Sequence, residues 1–231
     1  NCVITFINVT PGAFRVSKFN NLIDGEWIEG GTFVPNINPS NTNETIGEYA
    51  QAGPEQVTAA IGAAAAVFPQ WSHDGIQARA DALDAIGSEI LARKEELGRL
   101  LAREEGKSLP ESIGEAARAG HIFKYFGGET VRQVGDRLAS VRPGVEVDIT
   151  REPLGVIGII TPWNFPIAIP AWKIAPALAF GNCVVFKPAN LVPACAWALA
   201  EIIHRHLPGG VFNLVMGTGS IVGSSLLEDR R

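Results

Sequence analysis

Cysteine, histidine, methionine and positive charge are all scarce in this chain. The three cysteines, Cys2, Cys183 and Cys195, are odd in number and widely spaced. That is no disulfide framework, and it fits a reducing, cytoplasmic setting. The four histidines are scattered and form no pattern with metal-site spacing, so no metal is expected. A formal charge of −5 and a pI near 5.4 exclude the basic footprint of a general nucleic-acid binder. Long hydrophobic runs are missing as well. Proline and charged residues interrupt each apolar stretch before it reaches the roughly 20 residues that cross a bilayer, so no membrane partner is expected. The first sixteen residues, NCVITFINVTPGAFRV, lack the basic start and small-residue cleavage site of a secretory signal. The only methionine is Met216. Residues 1–18 are therefore read as a leader, partly foreign to the fold, on a chain incomplete at its N-terminus.

What is present is a globular composition: 231 residues, 46% apolar and 19% charged, enough to bury one large core or two small ones. From Phe19 to Asn38, turn signals at Asp24-Gly25, Gly30-Gly31 and Pro35-Asn36 separate short apolar pieces, which predicts strands and hairpins. NPSNTNET then reads as a polar loop. Pro54 suits the first turn of a helix carrying Val57, Ile61, Ala64 and Phe68, with Pro69 expected to end it. A second helix places Leu83, Ile86, Ile90, Leu97 and Leu101 on one face and a solvated run, Arg93 to Glu96, on the other. Pro110 opens a third helix, reaching about Gly127. VRPGVEVDIT, residues 141–150, alternates around a Pro-Gly turn, and residues 141–152 read as a protruding hairpin. Such a hairpin suits either an oligomerisation arm or an ordinary edge.

From residue 153 the period changes. Val156–Ile160 is a short apolar run fit for a buried parallel strand, Ala168–Phe180 a helix carrying two prolines, and Cys183–Phe186 a second buried strand. Pro193–His206 is helical, Val211–Val215 is a third strand, and a glycine turn, GTGS, leads into a helix over Ile221–Leu227. The alternation predicts an α/β fold with a parallel sheet, and ligands bind beyond the C-terminal strand ends of such sheets. Three loops meet there: Thr161 to Asn164, Lys187 to Asn190, and Gly217 to Ser220. Lys187 either sends its ammonium into the crevice, as a donor to hydroxyls or phosphate, or marks a strand end in solvent. Asn164, between Trp163 and Phe165, is either a fixed amide donor for an oxyanion or a turn residue bonded to its own backbone. Cys183 and Cys195 have no adjacent base in sequence and are read as structural, and His204 and His206 as surface residues near a helix end.

TPWNFP (161–166), FKPAN (186–190) and PGGVFNLVMGTGSIVG (208–223), with NLIDGEWIEGG and NINPSNTNETIGEYAQA upstream, resemble the NAD(P)-dependent aldehyde dehydrogenase superfamily over roughly Phe19 to Arg231. Within it, the upstream wording looks most like 2-oxoglutarate semialdehyde (2,5-dioxovalerate) dehydrogenases. The resemblance implies a Rossmann-like cofactor core over residues 153–231, preceded over 19–140 by strands and helices of the same domain. It implies a cofactor, NAD or NADP, a small aldehyde as substrate and a homo-oligomeric parent. Asn164 matches the amide that holds the oxyanion of the thiohemiacetal. Ile160, Thr161, Pro162 and Trp163 match the lining of the cofactor cleft, Lys187 with Ala189 and Asn190 the ribose contacts, and Gly219 and Gly223 the turn and helix start near the pyrophosphate or adenine. Many NAD-preferring members carry Glu where this chain has Asn190, so the resemblance implies tolerance of NADP.

The family's nucleophilic cysteine and general-base glutamate match nothing up to Arg231. The chain is accordingly read as an N-terminal portion, inactive alone in aldehyde oxidation and poorly soluble because its sheet edge is open. The competing reading is a non-catalytic dinucleotide-binding or assembly module.

Overall fold

The computed structural model describes residues 17–132 and 135–231. Cys2 and most of the leader lie outside the described residues.

The chain opens with strands β1 (Lys18–Phe19), β2 (Asn21–Ile23), β3 (Glu26–Ile28), β4 (Thr32–Ile37) and β5 (Thr45–Gln51). Asp24 and Gly25 both take positive φ, 53° and 80°, which gives the β2–β3 hairpin its two-residue turn. β5 was not foreseen: its Gly, Glu and Gln dilute the apolar alternation, and its buried Tyr49 stacks on Phe19 at 4.8 Å between ring centroids. Helices α1 (Pro54–His73), α2 (Ile76–Ala92), α3 (Lys94–Glu105) and α4 (Leu109–Thr130) follow. Then come β6 (Asp136–Ala139), β7 (Glu146–Ile149), β8 (Val156–Ile160), α5 (Ala168–Ala179), β9 (Cys183–Lys187), α6 (Pro193–Arg205) and β10 (Phe212–Leu214). A π-helical turn, Gly219–Gly223, and α7 (Ser224–Glu228) close the described chain.

Five strands form the central sheet in the order β3-β2-β10-β9-β8. β8, β9 and β10 run parallel, as the α/β alternation predicts, and β10 takes the β2–β3 hairpin as an antiparallel extension. Two fully buried asparagines attach that hairpin. Asn213 Oδ1 accepts from the Asp24 N–H at 2.9 Å, and Asn21 Oδ1 from the Met216 N–H at 2.8 Å. α1 packs on β2, β8, β9 and β10, while α5 and α6 sit between the sheet and α2, α3 and α4. α2 and α4 cross closely, because a Cβ on Gly87 would lie 2.7 Å from the Gly120 carbonyl oxygen. Among the described residues, no helix is long and apolar enough to cross a membrane.

Four expectations need correction. Pro69 does not end α1, which runs to His73; the ring removes one N–H, and buried Trp71 anchors the turn beyond it. The second helix is two, α2 and α3, broken at Arg93 (φ −99°, ψ 11°). There the guanidinium pairs with Glu89, Glu96 and Glu201 at 3.3, 2.7 and 2.9 Å, so Arg93 is half-buried and ion-paired, while Lys94 to Glu96 are exposed. The hairpin's first strand lies before Val141, at β6, with the Pro143-Gly144 turn between the strands. Finally, β8 is not buried throughout. Of its residues only Ile159 is buried, because among the described residues β8 ends the sheet order and pairs with β9 alone. β9, flanked on both edges, is buried along its whole length.

Candidate active site and cofactor cleft

The C-terminal ends of β8 and β9 meet in register, Ile160 opposite Lys187. The Thr161 N–H continues the ladder to the Lys187 carbonyl at 3.3 Å. This fixes the start of the 161–165 loop: Thr161 is buried, while Pro162, Trp163, Asn164 and Phe165 emerge into solvent.

Lys187 is not a solvent-facing strand end. It is only 4% exposed, and its Nζ donates to the Pro188 carbonyl at 2.7 Å and to Asn190 Oδ1 at 3.4 Å. Burial lowers its pKa, and it forms no ion pair among the described residues. An ammonium has three donors. Two are placed on neutral oxygens here, which leaves one without an acceptor among the described residues. Ala189 is half-buried and Asn190 exposed beside it.

Asn164 is exposed, and its side-chain amide makes no hydrogen bond among the described residues, so it is not spent on its own turn. Its backbone is held from outside instead. Lys107, in the link between α3 and α4, donates from Nζ to the Asn164 carbonyl at 3.1 Å and to Glu115 Oε2 at 2.8 Å, and it sits 4.2 Å from the Phe165 ring centroid. The other Glu115 oxygen accepts from the Ile167 and Ala168 N–H groups at 3.0 and 3.2 Å, at the start of α5. One buried carboxylate thus caps the crossover helix after β8 and anchors the lysine that steadies the loop.

The same device recurs one crossover later. Glu104, buried on α3, accepts from the Ala194 and Cys195 N–H groups at 2.6 and 2.8 Å at the start of α6. Burial pushes its carboxyl up to about 7, against the hydrogen bonds from Cys195 and Ala194 that pull it down. Sequence reading missed both glutamates and Lys107. The available signal was a carboxylate on an otherwise buried face of a helix, which is rare unless paired.

Gly219 and Gly223 follow β10, on the other side of β9 from the Asn164 loop. The expected α-helix from Ile221 begins instead as the π-helical turn, where the Thr218 side chain accepts from the Ile221 N–H at 3.3 Å. A Cβ on Gly219 or Gly223 would meet no atom within 4 Å, so the described chain does not itself require glycine there. The crowded position is Gly217, at φ 149°, where a Cβ would lie 2.6 Å from Val222.

Neither described thiol is poised as a nucleophile. Both are buried; burial pushes Cys183 up to about 12, and burial with the Glu104 carboxylate raises Cys195. His206 is not a free surface residue, since its Nε2 lies 2.7 Å from Glu89 Oε2. His204 meets the Trp27 ring edge-on.

Between α4 and α5, next to Phe165, lies a groove of about 430 Å³ lined among others by Lys107, Glu115, Arg118 and Trp172. The 161–165 loop reaches this groove through Phe165. Residues 27–231 match the aldehyde dehydrogenase family. The chain belongs to that family. It is 40% identical over 210 residues to the alpha-ketoglutarate semialdehyde dehydrogenase of Haloferax volcanii, covering 90% of this chain and 44% of that protein. It is 41% identical over 215 residues to the alpha-ketoglutaric semialdehyde dehydrogenase of Bacillus subtilis, covering 92% of this chain and 44% of that one. Among solved structures, an NADP-dependent enzyme of Escherichia coli superposes with a TM-score of 0.89 at 35% identity, over 92% of this chain and 45% of its own. Betaine aldehyde dehydrogenase of Staphylococcus aureus, in complex with NAD+, superposes with a TM-score of 0.86 at 35% identity, over 92% of this chain and 43% of its own. This aldehyde dehydrogenase chain therefore spans less than half the length of the relatives it matches, and its Rossmann-like α/β architecture is theirs.

Proposed function

We propose that this chain forms the dinucleotide seat and supplies the oxyanion amide of an enzyme that oxidises an aldehyde to a carboxylate with NAD+ or NADP+. The observation that carries this is Lys187, a buried ammonium without a carboxylate partner among the described residues, held by two neutral oxygens at the strand end with a donor to spare. A ribose hydroxyl satisfies that donor. Ile160, Thr161, Pro162 and Trp163 form the adjoining wall, Ala189 and Asn190 the rim around the ribose, and the unobstructed Gly219 and Gly223 allow a pyrophosphate or adenine to approach the backbone. The residues fit a dinucleotide; when bound, it supplies the hydride acceptor. The Asn164 amide then donates to the carbonyl oxygen as charge develops on it, with its backbone fixed by Lys107. The attacking thiolate has no candidate among the described residues, since both thiols are buried and raised in pKa.

The substrate reading is an aldehyde that also carries a carboxylate, 2-oxoglutarate semialdehyde in particular. It rests on the names of relatives such as the Haloferax volcanii and Bacillus subtilis enzymes. We place the enzyme in the cytoplasm as a homo-oligomer, with the β6–β7 hairpin as an arm that pairs with another copy. All residues of both hairpin strands are exposed, including the apolar Leu138, Val147 and Ile149.

Dinucleotide binding by the chain itself tests the core of this reading. Calorimetric titration should give saturable binding of NADP+ and of NAD+, with adenosine 2′,5′-bisphosphate competing for the NADP+ site. If neither dinucleotide binds to folded protein, the cofactor assignment is wrong.

A further inference from the structure

Both crossover helices start on a glutamate borrowed from another helix, but only one of these glutamates is answered by a cation. Glu115, at the α5 start, is paired with Lys107 at 2.8 Å. Glu104, at the α6 start, is 4% exposed and forms no salt bridge among the described residues. The charges nearest to it in sequence are spent elsewhere, Arg103 on Glu44 and Lys107 on Glu105 and Glu115.

The sequence gives α6 no cap of its own. Val192, at the N-cap position, has no side-chain acceptor, and Pro193 has no N–H to offer. The first free donors are the Ala194 and Cys195 N–H groups, and Glu104 accepts from both, at 2.6 and 2.8 Å. The Cys195 thiol hydrogen-bonds to the same carboxylate. The helix start is also tied back to the strand-end loop, because the Val192 N–H donates to the Ala189 carbonyl at 3.2 Å. Beside Glu104 lies a cavity of about 280 Å³ lined by Trp163, Leu191 and Val192. The carboxylate therefore borders a space shared by the 161–165 and 188–192 loops.

We propose that Glu104 is a positioning residue that makes the dinucleotide seat proton-sensitive: as a carboxylate it holds the α6 start and the 188–192 loop attached to it, and on protonation it releases them. This rests on the reading of the cleft as a dinucleotide seat. A protonated carboxyl turns one of its oxygens into a donor, so the two N–H groups no longer both find an acceptor. The cap loses its charge and one hydrogen bond, and Ala189 and Asn190 lose their fixed place beside Lys187. Burial pushes this carboxyl up to about 7, which puts the change between about pH 6 and pH 8. The groups that face it do not compete there. Burial raises Tyr49, on β5, and Cys195, on α6, so both stay neutral, while Glu105 and, on α4, Glu115 are answered by Lys107. Lys187 acts in the opposite sense, since loss of its charge weakens binding as the pH rises.

Two measurements on the unaltered chain test this. Hydrogen exchange, corrected for the intrinsic effect of pH, compares the Ala194 and Cys195 amides with those of Ile167 and Ala168, whose Glu115 keeps its lysine. From about pH 8 to pH 6, protection at the α6 start should fall about tenfold relative to the α5 start, following the ionised fraction of Glu104. Calorimetric titration with NAD+, which carries no group that titrates in this range, should show affinity falling by about the same factor. Glu104→Gln should remove the pH dependence from both. Relative protection that does not change with pH overturns the proposal. So does an NAD+ affinity that does not change, or that changes alike in Glu104→Gln; these outcomes leave the cofactor reading standing. If Glu104→Gln does not fold, the two measurements on the unaltered chain decide alone. No NAD+ binding to folded protein at either pH removes the cofactor reading and this proposal with it, whatever the exchange shows.

Discussion

The carbonyl oxygen of Asn164 accepts a hydrogen bond from Lys107 Nζ at 3.1 Å, across 57 residues of sequence. The lysine is held in turn by Glu115, whose side chain is only 2% exposed. Removing the lysine therefore strands a buried carboxylate. Lys107→Met should destabilise the chain by about 3 kcal/mol, in the range for breaking a buried pair rather than a surface one. Adding Glu115→Gln to the same chain should recover part of that loss, because the uncompensated charge is then gone. Urea denaturation of the two single variants and the double variant measures this coupling. A Lys107→Met loss no larger than that of an exposed ion pair would show that the lysine does not clamp the loop.

Lys187 carries the opposite expectation. Its ammonium is buried without a counter-ion among the described residues, and burial already lowers its pKa, so the fold gains little from the charge. Lys187→Met should leave stability within about 1 kcal/mol of the parent chain. Dinucleotide affinity should fall about 30-fold, the equivalent of ~2 kcal/mol for a hydrogen bond to a charged donor. Calorimetry and denaturation on one preparation separate the two effects. Unchanged affinity with a stable fold would mean that Lys187 does not contact the dinucleotide.

Asn190 sits 3.4 Å from Lys187 Nζ through its Oδ1 and is itself exposed. On the proposed cofactor reading, a neutral amide there does not repel a 2′-phosphate, as a carboxylate would. Asn190→Glu should weaken NADP+ binding at least tenfold relative to NAD+, since two anions would share one small site and each tenfold loss is about 1.4 kcal/mol. The ratio of the two dissociation constants is the readout. An unmoved ratio would mean that residue 190 does not face the ribose.

The parallel strands and both crossover helices were legible in sequence because their residues are consistent at every level. Val184, Val185 and Phe186 form a buried run, and turn-forming loops bracket it. The joining of the β2–β3 hairpin to β10 was not legible, since Asn21 and Asn213 look like ordinary polar residues until the fold buries them. The α2–α3 break was hidden for a related reason. Arg93 continues a helical pattern locally, and its partner Glu201 lies 108 residues away. At the site, position alone brought Asn164 and Lys187 to the strand ends but left their roles open, and the groove could not be read at all. Lys107, Glu115 and Arg118 belong to the helical half of the chain, and only packing of α4 against α5 brings them to the Asn164 loop.

Glu104 sets the pH dependence. Its carboxyl moves from an ordinary 4.5 to about 7 in the fold because burial penalises the charged form. A carboxyl raised in this way keeps its proton longer in the folded chain than in the unfolded one. Its stabilising contribution is therefore complete below about pH 4.5, declines as the pH rises toward 7 and is constant above that. The gap corresponds to roughly 3–4 kcal/mol at most, at ~1.4 kcal/mol per unit. Glu44, Glu89, Glu96 and Asp229 are held below their ordinary values by basic and amide partners, so they act in the opposite sense, with stability lost as the pH falls through the acid range. Between pH 4.5 and 7 the Glu104 slope should dominate, and Glu104→Gln should flatten it while keeping the side-chain volume. Unfolding free energies of the two proteins at intervals across that window measure the difference. If that difference does not change with pH, the carboxylate stays ionised on the α6 N-terminus throughout, and the two N–H groups of Ala194 and Cys195 outweigh its burial.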